Sequence, residues 1–186
     1  MNKGKIVSII SNLYGVLVDG VLVKARARGK FRQNNITPTV GDEVEIDVEK
    51  KYIIDILPRK NYLPRPSISN IDLVICVTSC KEPDLSLNLL DKQLAFLALN
   101  NIPSMIIFTK YDLLDDLEKA NINKLMEYYN NIGIVSLINT ELNKIKNCLK
   151  GKEVGLLGQS GAGKSSLINT LGGFGIKTQA ISKALG

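Results

Sequence analysis

A chain of 186 residues that is 45% apolar can hold one large or two small domains around a real core, built mainly from aliphatic side chains because only 5% of residues are aromatic. The formal charge of +6 favours an anionic partner, either nucleic acid or nucleotide phosphate. No apolar run approaches the roughly 20 residues that cross a bilayer, and three cysteines with no histidine make neither a disulfide framework nor a mixed zinc site. A cytoplasmic protein with buried thiols at Cys76, Cys80 and Cys148, and no membrane partner, is the expectation.

The opening residues are basic and then apolar, as in a secretory leader, but Asn12 and Asp19 interrupt the run and no cleavage site follows. Residues 1–64 instead read as short strands. IVSII, GVLVD and VLVKARA are rich in β-branched residues, and EVEIDVE alternates with a period of two. A small barrel or sandwich follows, since closure hides the edges of such short strands. In VLVKARARGKFR the residues Lys24, Arg26, Arg28, Lys30 and Arg32 recur at every second position; in EVEIDVE the outward residues are Glu43, Glu45, Asp47 and Glu49. Two readings stay open. The rows pair with each other if the strands are neighbours, or Arg26, Arg28, Lys30 and Arg32 form a face for nucleic-acid phosphates.

The segment ILPRKNYLPRPSISN, with Pro58, Pro64 and Pro66, continues neither strand nor helix and marks a boundary at residue 64. Its Arg59, Lys60 and Arg65 extend the basic surface. From there to residue 186 the pattern alternates between strand and helix. IDLVICVTS is a buried strand, SLNLLDKQLAFLALNN a helix with Leu87, Leu90, Leu94 and Leu97 on one stripe, and SMIIF a strand. A helix through LEKANINKLMEYY, the strand GIVSL, a short helix near ELNKIKNCLK, the strand EVGLLG and a helix from Lys164 complete the series. This order predicts a mostly parallel sheet with ligands at the carboxyl ends of its strands.

The run Gly158-Gln159-Ser160-Gly161-Ala162-Gly163-Lys164-Ser165 meets the phosphate-loop rule and its strand-before, helix-after context. Its N–H groups converge on phosphates, Lys164 reaches the β/γ-phosphates, and the Ser165 hydroxyl can hold Mg²⁺. Thr109-Lys110-Tyr111-Asp112, at the end of SMIIF, resembles the Asn/Thr-Lys-x-Asp motif of GTPases, whose aspartate accepts two hydrogen bonds from guanine. Adenine offers no matching donors. In ordinary GTPases the phosphate loop precedes the guanine motif; here Asp112 precedes Gly158, so the fold is predicted to be circularly permuted.

In this order and spacing, ARGKFR, PTVGDEV, ILPRKNYLPRP, EPDLSLNLLD, TKYDL and GQSGAGKSSLIN resemble the circularly permuted GTPases that assist late assembly of the small ribosomal subunit. The resemblance implies an N-terminal OB-fold barrel (1–64) that binds rRNA, then a circularly permuted α/β P-loop GTPase domain (65–186). It implies Thr109, Lys110, Tyr111 and Asp112 as the guanine motif, Ser136 and Leu137 in the loop that backs the base through backbone N–H, and Gly158 to Ser166 on the phosphates with Mg²⁺ at Ser165. GTP would be the substrate, GDP the product, and the small ribosomal subunit and its rRNA the partners. Members of the family continue with a switch segment, an Asp-x-Pro-Gly loop and a zinc-binding domain. This chain has no Asp-x-x-Gly and no histidine, so the GTPase domain reads as incomplete, with no zinc site and with EVGLLG as an open sheet edge. Lys164 is the one catalytic group that can be named. Two further readings are a module that binds RNA and guanine nucleotide with weak or no turnover, and an ATPase, which Asp112 disfavours.

Overall fold

The computed structural model describes residues 1–29, 31, 36–64 and 67–172, and the chain divides into two units, Met1–Ile71 and Asp72–Gly186. In the first unit β1 (Asn2–Ile10), β2 (Leu13–Val18), β3 (Val21–Ala27), β4 (Glu43–Asp47) and β5 (Tyr52–Ile56) close a barrel in the order β1-β2-β3-β5-β4. Every described pair is antiparallel except β3 with β5. The period of two sends Ile6, Val16, Ala25, Val44, Ile46 and Ile53 to an interior where none is more than 1% exposed. This is the OB-type barrel that the resemblance implies.

Strand order argues against the first of the two readings of the charged rows, direct pairing. β5 lies between β3 and β4, so the basic and acidic strands are not neighbours. The acidic strand faces β1 instead, with Lys3 opposite Glu45 and Lys5 opposite Glu43. Arg26 and Arg28 are left exposed at the end of β3. Lys30 and Arg32 lie outside the described residues, as does Arg65.

The first unit runs past the boundary expected at residue 64, because β6 (Tyr62–Pro64) and β7 (Ser67–Ser69) pair across it and Ser69 N–H donates to Val40 O at 3.0 Å. This junction is organised by Asp42, which is fully buried. Its carboxylate accepts from Thr39 N–H at 2.8 Å, Ser69 Oγ at 2.6 Å, and Arg59 Nε and Nη2 at 2.7 and 2.8 Å. Arg59 also donates to Thr37 O and stacks over the Tyr62 ring at 4.7 Å. Its hydrogen bond to Asp42 raises its pKa further above the ordinary value. Arg59 was expected on the basic surface, but its charge is consumed here. Gly41, at φ +93°, passes so close to the Ser69 carbonyl that a Cβ would sit 2.1 Å from its oxygen. The motif PTVGDEV and the arginine of ILPRKNY therefore form one structural lock.

The second unit carries β8 (Leu73–Ser79), α1 (Leu87–Leu99), β9 (Ser104–Thr109), a 3₁₀ turn at Tyr111–Leu113, α2 (Asp116–Asn131), β10 (Ser136–Ile138), α3 (Leu142–Leu149), β11 (Val154–Leu157) and α4 (Lys164–Gly172). The four strands form a parallel sheet in the order β10-β9-β8-β11. Among the described residues β11 pairs with β8 alone and so lies at the sheet edge. Ile75, Val77, Ile107, Leu137, Ile145 and Leu167 meet in a common core. Ser86 caps α1, and Asp115 with Glu118 forms a reciprocal capping box on α2.

Two details depart from the sequence reading. Leu87 sits on the first turn of α1 at 44% exposure, and Gln93 takes its place among the buried residues of that stripe. Cys76 is fully buried, its thiol pushed up to about 12 by desolvation, whereas Cys148 is only half-buried.

The lock at Asp42 generates a prediction. Arg59→Met leaves a buried carboxylate without its cation and is expected to cost about 3 kcal/mol, read as a lower urea midpoint for the barrel. A loss below about 1 kcal/mol would show that Thr39 and Ser69 satisfy Asp42 unaided.

Candidate nucleotide site

The carboxyl ends of parallel strands gather segments that are distant in sequence, and four such segments meet here. β8 ends at Ser79, β9 at Thr109, β10 at Ile138, and β11 runs into the glycine loop. Gly158 opens that loop at φ +148°, where a Cβ would stand 2.2 Å from Val77 O. Only glycine lets the chain turn off β11 so close to β8. The first bond into α4 is Leu167 N–H to Gly163 O at 2.9 Å. The N–H groups of the turn before it are those that a helix leaves without internal acceptors, and they carry the positive end of its dipole.

Lys164 donates through Nζ to Gly158 O at 2.7 Å and Gln159 O at 2.5 Å, so its ammonium is folded over the mouth of the loop. Burial pushes its pKa below the ordinary lysine value. An anion at that point would reverse the push. Ser165 and Ser166 are exposed on the first turn of α4.

Thr109 is 3% exposed, and its hydroxyl donates to Ala162 O at 2.7 Å, across 53 residues of sequence. The same side chain packs against Gly163, where a Cβ would meet it at 3.5 Å. The sequence separation between the guanine-type motif and the phosphate-type loop is thus bridged by one hydrogen bond. Lys110 follows in a left-handed conformation, φ 57°, and its Nζ donates to Glu82 O. Tyr111 donates to Asn123 at 3.0 Å. Asp112 is exposed and, among the described residues, makes no hydrogen bond or ion pair, so its carboxylate is available to a ligand.

Ser136 is buried, and both of its polar groups are engaged with α2 or its end: Oγ donates to Met126 O at 2.8 Å, and N–H donates to Asn130 Oδ1 at 2.9 Å. Leu137 turns its side chain into the core beside Ile107 and Ile145. Neither side chain points a functional group at the loop, which leaves only backbone contacts for this pair.

The segment 79–82 was not foreseen as part of the site. Ser79 Oγ donates to Lys81 O at 2.6 Å, Cys80 N–H to Thr109 O at 3.0 Å, and Lys81 Nζ to Glu118 at 3.0 Å. These contacts brace the guanine-type motif from behind. Burial, with the nearby Asp112 carboxylate, pushes the Cys80 thiol up to about 11. The available signal was the stretch EPDLSLNLLD, whose position just after β8 puts it at the same end of the sheet.

Magnesium fits this arrangement only in company. The Ser165 hydroxyl is exposed beside a glycine-shaped cradle for an anion, and a hard cation held there would draw its other oxygen ligands from phosphate and water. No cluster of three or more His, Cys, Asp or Glu residues placed to hold a metal occurs among the described residues.

Comparison with known proteins agrees with this geometry. The RsgA GTPase family model matches residues 56–186, and the model of the RsgA N-terminal domain matches residues 3–53. The protein named small ribosomal subunit biogenesis GTPase RsgA 2 of Listeria innocua is 44% identical over 193 residues, covering 100% of this chain and 66% of its own length. The RsgA of Limosilactobacillus fermentum is 41% identical over 195 residues, with the same coverage. The crystal structure of YjeQ from Thermotoga maritima superposes with a TM-score of 0.80 at 32% identity, covering 91% of this chain and 64% of that one. YloQ, described as a circularly permuted GTPase, superposes at 0.77 with 35% identity, over 95% of this chain and 66% of that one. The chain thus spans just under two-thirds of the length of these relatives. The barrel, the permuted order of β9 before β11 and the matches over both units agree: this chain belongs to the RsgA GTPase family.

Proposed function

We propose that the second unit binds guanine nucleotide, with GTP as substrate and GDP as product, and that the chain acts in the maturation of the small ribosomal subunit in the cytoplasm. One observation carries this reading: the Thr109 hydroxyl joins Ala162 O and so sets the unpaired Asp112 and the phosphate loop within one rigid frame. In the proposed complex Asp112 accepts from guanine N1–H and N2–H, and the Lys110 stem covers the base. The backbone at Ser136 and Leu137 backs its far edge. The N–H groups of Gly158 to Ser166 surround the phosphates, and Lys164 turns its ammonium from the loop carbonyls toward the β/γ-oxygens. Mg²⁺ at Ser165 would supply charge neutralisation between the β- and γ-phosphates when bound. Lys164 stabilises the charge that develops as the γ-phosphoryl group passes to water. Among the described residues none is assigned to position that water.

The barrel supports a second element of the proposal, contact with rRNA. Arg26 and Arg28 line a cleft of about 880 Å³ together with Ser11, Asn12 and Thr37. Tyr14 and Phe31 also border it, but they are at most 6% exposed, so bases cannot stack on them. The cleft therefore suits backbone phosphates better than base recognition. Lys30 and Arg32 are included in this face on sequence grounds alone. Among the described residues no helix is long and apolar enough to cross a membrane.

Two outcomes test these assignments. By titration calorimetry the chain is expected to hold GDP against excess ATP, and Asp112→Asn to weaken GDP by about 10- to 100-fold, the loss of charge-assisted hydrogen bonds worth about 1.5–3 kcal/mol. Displacement of GDP by ATP would contradict the base assignment. For the barrel, Arg26→Ala with Arg28→Ala is expected to weaken RNA binding across sequences and to flatten the slope of log affinity against log salt by about 1 to 2. An unchanged slope would remove the cleft from the RNA surface.

A further inference from the structure

One buried side-chain polar atom among the described residues has no hydrogen-bond partner, Asn139 Oδ1. An acceptor taken out of water without a donor is a cost to the folded chain, so its presence calls for an explanation. Asn139 follows β10 directly, and its N–H donates to Phe108 O at 2.9 Å, which carries the parallel ladder one residue past the strand. Ile138 stands opposite Phe108, so Asn139 stands opposite Thr109. Residues two apart on a strand share a face. Leu137 faces the core that holds Ile107 and Ala162, and Asn139 comes two residues later on the same face. Thr109 shares it too, since its hydroxyl reaches Ala162 O. Register and alternation therefore set the Asn139 carboxamide beside the residue that opens the guanine-type motif, on the face of the sheet that carries the phosphate loop.

The two ends of this carboxamide differ. Oδ1 is closed off from water, whereas the amide nitrogen is not buried and makes no hydrogen bond among the described residues. Turning the group over would bury two donors in place of one acceptor, so the amide is the outward end. The backbone donors around it are already engaged. Ser136 N–H goes to Asn130 Oδ1, Ile138 N–H to Glu141 Oε2 and Asn139 N–H to Phe108 O, each at 2.9 Å. Leu137 N–H lies in the ladder with β9. The Asn139 amide is thus a free donor at the carboxyl end of the strand next to β9. In the reading above, Asp112 takes the N1–H and N2–H edge of guanine. The oxygen at position 6 adjoins N1 and is an acceptor, whereas adenine carries an amino donor at that position.

We propose that Asn139 is a specificity-determining residue, whose side-chain amide donates to the oxygen at position 6 of the guanine base. The inference rests on the guanine-nucleotide reading above and adds to it a side-chain contact from a second strand. A recognition role separates stability from affinity. Replacing Asn139 by leucine, of similar size, removes the unpaired buried oxygen and the outward donor together, so the free chain loses a burden while the complex loses a contact.

The test is Asn139→Leu, with Asn139→Ala alongside in case leucine does not fit. Melting temperature without nucleotide is measured with the 186-residue chain, together with affinity for GDP and for the GDP analogue that carries sulfur, a weak acceptor, at position 6. The parent is expected to prefer GDP over the analogue by about fivefold, the worth of one hydrogen bond between neutral groups. Asn139→Leu is expected to melt no lower than the parent, to bind GDP about fivefold more weakly, and to bind GDP and the analogue alike. GDP affinity within twofold of the parent, or a preference for GDP over the analogue that survives the substitution, would overturn the inference while leaving Asp112 and the nucleotide site standing. A parent that binds the two nucleotides alike would do the same. A fall in melting temperature in step with affinity, in both variants, would overturn it by showing a structural role. A folded parent chain that binds no GDP would overturn both the inference and the reading beneath it.

Discussion

The candidate site depends on one short hydrogen bond, from Thr109 Oγ1 to Ala162 O. In the proposed complex Asp112, at the end of β9, reads the base and the loop after β11 holds the phosphates, yet β8 lies between these strands. A ligand that spans both needs the two loops fixed to within a fraction of an ångström. The sheet sets their approximate separation. The Thr109 hydroxyl, buried and packed on Gly163, sets the rest. Permuting the chain order leaves this bond intact, since a contact across the ends of parallel strands is indifferent to which strand is made first. This is why the guanine-type motif can precede the phosphate loop without loss of geometry.

The first unit uses the same economy of polar groups for a different end. Asp42 gathers a backbone N–H, a hydroxyl and a bidentate guanidinium around one fully buried carboxylate. Such a cluster contributes less net stability than its bond count suggests, because two charges have been taken from water. What it fixes is the path of the chain from the barrel through Arg59 to β7. With Arg59 held by Asp42, its charge is not free for an anionic partner, whereas Arg26 and Arg28 stand exposed beside the cleft.

Much of this was legible in the sequence. Alternation in VLVKARA and EVEID located barrel strands, the βα alternation located the parallel sheet, and the glycine loop fell where a strand meets a helix. The sequence could not show that β5 lies between the two charged strands, because register and order come from closure of the whole barrel. It did not show that Arg59 faces inward, since its partner Asp42 is a neighbour only after folding. Leu87 matched the apolar stripe of α1 but lies on its first turn, where the cap at Ser86 turns the side chain outward. Gln93 was overlooked for the converse reason: a polar residue at a stripe position reads as an interruption of the apolar pattern, although it is buried with Leu90 and Leu94. The segment 79–82 carried no motif of its own, and its partners Thr109, Lys110 and Glu118 are neighbours only after folding.

The most direct test of this account is the GDP affinity of Thr109→Val, a change that keeps shape and removes only the hydroxyl. With Asp112, Lys164 and the whole phosphate loop intact, leaving the Ala162 carbonyl without its donor is expected to weaken GDP by about tenfold or more, the cost of an unsatisfied buried acceptor of about 1–3 kcal/mol. Unaltered affinity in a variant that melts like the parent would mean that the sheet alone holds the two loops in register, and the bond on which the site is argued to depend would be incidental.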